Sequence, residues 1–79
     1  MPTQPHESLV ILERFSERLR RLRLAKGLTQ EEMAARAGFS RSYYTQVESG
    51  KRNVALLNLY RLAQSLEISL KDLLDIEDR

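Results

Sequence analysis

The 79-residue chain has no cysteine, one histidine and two prolines, both of them within the first five positions. Without cysteine there are no disulfide staples and no thiolate metal sites, a usage compatible with the reducing cytoplasm in which the protein is expected. His6 stands alone, and one imidazole makes no zinc site, so neither a metal nor a cofactor is expected. Long apolar runs are missing too. The longest are a few residues, against the ~20 that a bilayer-spanning helix requires, so no membrane partner is expected. The N-terminus lacks the basic flank and extended apolar stretch of a secretory signal. There is no internal repeat, low-complexity tract or strand-like alternation of useful length. No nucleophile–base pair or phosphate-cradling glycine loop is present, which argues against an enzyme.

What remains is a chain long enough for one small core, for which further burial through a partner is a reasonable expectation. Its charge is unevenly spread. Residues 14–52 carry ten Lys/Arg against four acids, whereas residues 67–79 carry two against five. A basic body with an acidic tail suits a polyanion-binding face opposite a surface kept away from the polyanion. A solvated helical surface would give the same totals, so charge alone does not decide.

Apolar periodicity predicts a string of short helices. Residues 1–7, with Pro2 and Pro5, read as a flexible lead-in. From about 8 to 26, Phe15, Leu19 and Leu22 recur on one stripe among arginines, and Gly27 follows. Thr29 with Glu32 forms a capping box for a second helix, whose inner face is Met33, Ala34 and Ala37 and whose end is Gly38. Ser40 is an N-cap for a third helix over about 41–49, with Tyr44, Val47 and Glu48 inward and Gly50 closing it. A basic loop leads to a fourth helix marked by Leu56, Leu59, Leu62, Ala63 and Leu66. Ser69 with Asp72 forms a second capping box for a short fifth helix bearing Leu70, Leu73 and Leu74. The expected fold is all-α, five helices, with a domain over 8–75 and a short acidic tail at 76–79.

The informative stretch is 29–50. Two helices of roughly eight residues joined only by Gly38-Phe39-Ser40 must cross steeply, as in a helix-turn-helix. The outward face of the third helix carries Arg41, Ser42, Thr45 and Gln46, which stand together at helical spacing. Arg pairs with guanine O6/N7, Gln with adenine N6/N7, and Ser or Thr with several base edges. A merely solvated face would more often carry Glu and Lys at i,i+4. Gln30 and Ser40, at helix N-termini, and Lys51, Arg52 and Asn53, in the loop, are placed to meet phosphate. Tyr43 flanks the face.

The run LRRLRLAKGLTQEEMAARAGFSRSYYTQVESGKRN resembles the Cro/repressor-type helix-turn-helix family (the xenobiotic-response-element group), a likeness covering about 12–75. The residues that carry it are Leu19, Arg20, Leu22 and Arg23, then Thr29-Gln30-x-Glu32, Ala34, Gly38, Ser40-Arg41 and Val47-Glu48-x-Gly50-Lys51. Ser40-Arg41-Ser42-Tyr43 and Arg52-Asn53-Val54 are similar to restriction–modification controller proteins. The resemblance implies a lambda-repressor-like fold, bases facing Arg41, Ser42, Thr45 and Gln46, and phosphates facing Gln30, Ser40, Lys51 and Arg52. It also implies DNA near Tyr43 and Asn53, and a structural ion pair between Arg23 and Glu48. One position departs from the pattern. Ala55 stands where the family usually has a capping Ser or Thr, so the cap of the fourth helix must come from Asn53, from water or not at all.

These readings predict a sequence-specific regulator that binds a pseudo-palindromic double-stranded DNA operator as a homodimer, with RNA polymerase a further possible partner beside a promoter. Leu66, Ile68, Leu70, Leu73, Leu74 and Ile76 give the last stretch more apolar residues than a short helix can bury alone, so the dimer interface is expected there. A rival reading is an antitoxin-like module that masks a partner protein. It needs an extra partner-binding segment, and none is seen beyond about Asp75.

Overall fold

Each apolar stripe becomes a helix. A computed structural model describes the backbone of residues 5–76 and the side chains of residues 9–76. It contains α1 (Pro5–Ala25), α2 (Gln30–Ala37), α3 (Arg41–Glu48), α4 (Leu56–Ser65) and α5 (Leu70–Leu73), with no strand among the described residues. α1 already includes Pro5, ahead of the expected start at about 8. The first turn of a helix leaves its N–H groups without intrahelical acceptors, so the missing N–H of proline is no loss there. Residues 1–4 of the expected lead-in and 77–79 of the expected acidic tail lie outside the described residues.

Local chemistry sets the boundaries. The Thr29 hydroxyl accepts from Glu32 N at 3.0 Å while the Glu32 carboxylate accepts from Thr29 N at 2.9 Å, a reciprocal box that starts α2. That contact, backbone N–H first, holds the Glu32 carboxyl below its ordinary pKa. Gly38 ends α2 at φ 75, a left-handed conformation that side chains with a Cβ adopt only at a cost. Phe39 N then bonds Ala34 O at 2.9 Å, and Ser40 opens α3 by accepting from Tyr43 N at 3.1 Å. α4 starts differently. Its N-cap is Ala55, and no side chain, Asn53 included, caps it.

The core takes Phe15 and Leu19 from α1, Leu28 from the following turn, and Met33, Ala34 and Ala37 from α2. Tyr44 and Val47 of α3, Leu62 and Ala63 of α4, then Leu66 and Leu73, complete it. Leu22 and Leu59, expected as core, are only partly buried against it. The residues expected at a dimer interface divide. Leu66 and Leu73 have no exposed surface, so they cannot meet a second copy directly; they fill the core of their own monomer. Ile68, Leu70 and Ile76 are half-buried against that core, leaving Leu74 exposed. Arg18 closes this end of the molecule. Its guanidinium donates to the Asp72 carbonyl from Nη2 at 2.8 Å and from Nε at 3.3 Å, tying α5 to α1.

Candidate nucleic-acid interface

α3 is a helix of eight residues with two opposed faces. Tyr44, Val47 and Glu48 point into the protein, and Arg41, Ser42 and Thr45 are exposed, with Gln46 half-buried beside them. The geometry therefore brings the four expected base-reading side chains to one outward face. Arg41 lies 4.0 Å from Glu31, and both groups are well exposed, so the contact is weak and leaves the guanidinium available. Thr45 is exposed and donates its hydroxyl hydrogen to Arg41 O at 2.8 Å, which leaves its oxygen lone pairs able to accept. Ser40 accepts from Tyr43 N and so retains its own O–H hydrogen for an acceptor such as phosphate.

The loop after α3 folds back toward that face. Gly50 is left-handed at φ 77, and Lys51 N and Ser49 Oγ both donate to the Gln46 backbone carbonyl, at 2.9 and 3.1 Å. A Cβ on Gly50 would come within van der Waals contact of Ser16 and the α1 backbone, which packs the turn against the first helix. The reversal carries Arg52 back over α3. Its Nε donates to Gln46 Oε1 at 2.6 Å, and its guanidinium carbon sits 5.5 Å from the centre of the Tyr43 ring. Tyr43 is itself fixed. Phe39 meets it edge-on at 5.0 Å between ring centres, and Asn58 Nδ2 donates to its hydroxyl at 3.1 Å. Lys51 and Asn53 are exposed in the same loop.

Glu48 supports the face from within. It is 2 % exposed and accepts from Arg23 Nε at 2.8 Å and Nη2 at 2.7 Å, from the Tyr44 hydroxyl, and from Gln30 Nε2 at 3.2 Å. Arg23 spends another N–H on Leu28 O at 2.8 Å. Burial disfavours the Glu48 charge, but the hydrogen bonds from Arg23, Tyr44 and Gln30 outweigh it and hold the carboxyl below its ordinary pKa. The bond to Glu48 likewise raises Arg23, whereas burial first, then Glu48, pushes the Tyr44 phenol up. One carboxylate thus joins α1, the start of α2 and α3. Among the described residues no buried side-chain polar atom lacks a partner.

Gln30, expected at phosphate, commits one amide hydrogen to Glu48 and keeps the other. Sequence reasoning missed four participants: the Tyr44 hydroxyl, Phe39, Asn58 and the inward reach of Gln30. Tyr44 and Glu48 stand four apart on a helix, a spacing that would have shown their contact. Asn58 gave no signal, because it meets Tyr43 only once the chain has turned. No group of acids and histidines among the described residues is arranged to hold a metal, and no described helix is long and apolar enough to cross a membrane.

A helix-turn-helix whose second helix shows a compact polar face beside a basic loop defines a class of DNA-binding transcriptional regulators. The chain belongs to the XRE-type helix-turn-helix family, whose model matches residues 19–73. It is 50 % identical over 58 residues to y4dJ of Sinorhizobium fredii, an uncharacterised HTH-type transcriptional regulator, covering 73 % of this chain and 75 % of that one. It is 46 % identical over 66 residues to the control protein C.MunI of Mycoplasma, covering 81 % of this chain and 89 % of that one. Among solved structures, the restriction–modification controller protein C.AhdI from Aeromonas hydrophila superposes with a TM-score of 0.77 at 50 % identity, covering 78 % of this chain and 94 % of that one.

Proposed function

We propose that the chain controls restriction–modification genes by binding, as a homodimer, a pseudo-palindromic operator near their promoter. The observation that carries this reading is the outward face of α3, where Arg41, Ser42, Thr45 and Gln46 stand together without an acid among them. Similarity to two controller proteins over most of the chain supports the choice of genes. Each α3 enters one major groove, while Ser40, Lys51, Arg52, Asn53 and the N-terminus of α2 with Gln30 meet phosphates that set register. Tyr43 flanks them. A two-fold pair spaces the two reading helices by about one helical turn of DNA, ~34 Å, and bending between the half-sites adds indirect readout. Occupancy over a promoter excludes RNA polymerase, and occupancy beside one offers it a contact.

The second copy is expected to cover the exposed apolar side chains of α4 and the turn after α5. Leu56 (68 %), Leu57 (61 %) and Tyr60 (49 %) are exposed on α4, and Leu74 (38 %) beyond α5. The neighbouring C-terminal stretch is acidic, so pairing there keeps like charge away from the duplex.

Competition binding against random DNA tests the reading helix. Arg41→Ala is expected to weaken specific binding by ~1–3 kcal/mol and relax preference at one base pair per half-site. Lys51→Ala should weaken specific and non-specific binding alike. An unchanged specificity ratio in Arg41→Ala would remove Arg41 from base readout.

A further inference from the structure

Glutamine is an ambiguous reader. Its amide offers donors on nitrogen and an acceptor on oxygen, and when free to turn it matches the mixed N6/N7 edge of adenine. Gln46 is not free to turn. Arg52 Nε donates to its side chain at 2.6 Å, and a guanidinium has donors only, so the atom facing it is Oε1 and the amide sense is fixed. Arg52 in turn rests 5.5 Å from the centre of a Tyr43 ring that Phe39 and Asn58 hold in place. The return of the loop that delivers Arg52 is closed by two hydrogen bonds onto the backbone carbonyl of Gln46 itself.

We propose that Arg52 is a specificity-determining positioning residue: by holding Gln46 Oε1 it turns the amide N–H groups toward the DNA, so that Gln46 selects guanine over adenine. This rests on α3 being the reading helix. The charge-assisted bond draws electron density toward Oε1, which strengthens the N–H donors. Oε1 keeps a second lone pair, but the guanidinium beside it repels the positively polarised amine of adenine. Guanine presents two acceptors, O6 and N7, to the same donors. The lock therefore inverts the preference that an unheld glutamine would show.

The test measures binding of wild type, Arg52→Ala and Gln46→Ala to operator duplexes varied one base pair at a time. Arg52 is exposed, and a thermal melt verifies that its variant is folded. Gln46→Ala should flatten preference at one base pair per half-site. At that pair wild type should favour guanine by about tenfold, within what one base-edge contact discriminates. Arg52→Ala should shift that pair alone to adenine, on top of any uniform loss of affinity. A wild-type preference for adenine there overturns the lock, as does a guanine preference that survives Arg52→Ala. A pair that merely flattens in Arg52→Ala also overturns it, by making Arg52 the reader. If Gln46→Ala alters no pair, α3 is not reading through Gln46, and the lock fails for that separate reason.

Discussion

Burying a carboxylate is unfavourable unless donors replace the water it loses, and at Glu48 they come from three side chains. Removing it strands Arg23, which keeps only its bond to Leu28 O. Glu48→Ala is therefore expected to cost about 3 kcal/mol in chemical denaturation, and an unchanged unfolding midpoint would show the pair to be dispensable. The same contacts predict a pH dependence. The folded carboxyl titrates below its ordinary 4.5, so above that value both states are ionised and the full stabilisation is present. As pH falls from there through the folded value, the unfolded state takes up the proton first and stability declines. Glu48→Gln should flatten this acid limb of the melting profile. The resemblance implied the Arg23–Glu48 pairing, but not the Tyr44 hydroxyl or Gln30. Their residue types fitted other tasks, core packing and phosphate contact, and only the closed fold brings both onto one carboxylate.

At the level of the helices, the sequence was most legible where side chains cap backbone. Thr29, Ser40 and Ser69 each accept from the N–H three residues on, and α2, α3 and α5 begin where those residues predict, although at Ser69 only this half of the expected box forms and Asp72 does not reach back. Helix ends that use backbone alone were harder to see. After α4, Glu67 takes a left-handed conformation at φ 58 while Ile68 N bonds Ala63 O at 3.0 Å, the work that glycine does after α2. Nothing in a glutamate announces that role. The start of α4, where Ala55 departs from the family's pattern, is uncapped by any side chain. Ala55 already has the extended backbone of an N-cap, φ −64 and ψ 150, so a hydroxyl placed there should accept from the first turn. Ala55→Ser is expected to raise stability by about 1 kcal/mol, measured as a shift in denaturation midpoint at unchanged slope. A lower midpoint would mean that the loop before α4 cannot accept the side chain.

For the molecule as a whole, the proposed two-fold pairing depends on which apolar groups are left over after the monomer has folded. A count of leucines and isoleucines from 66 to 76 could not separate those covered by the protein's own core from those facing out. Leu66 and Leu73 are the former, whereas Leu57 and Tyr60 of α4, outside that stretch, are exposed. If α4 carries the contact, sedimentation should give a wild-type dimer at micromolar concentration, while Leu57→Glu sediments as a folded monomer. Leu57 is largely exposed, so the charge does not disturb the core. Operator occupancy by that variant should then rise less steeply with protein concentration. A Leu57→Glu protein that still dimerises would move the interface off this part of α4.

The division of α3 into two faces has an evolutionary consequence. Tyr44, Val47 and Glu48 are spoken for by the interior, whereas Arg41, Ser42 and Thr45 are exposed, and the contacts of Arg41 and Thr45 are a weak surface ion pair and a bond within their own helix. If these three positions read the operator as proposed, substitutions there change its sequence without disturbing the core. Gln46 is the exception, because a change there also releases Arg52. On the proposed reading, a lineage of such regulators diversifies fastest at Arg41, Ser42 and Thr45, and more slowly at Gln46 and Arg52, which must change as a pair.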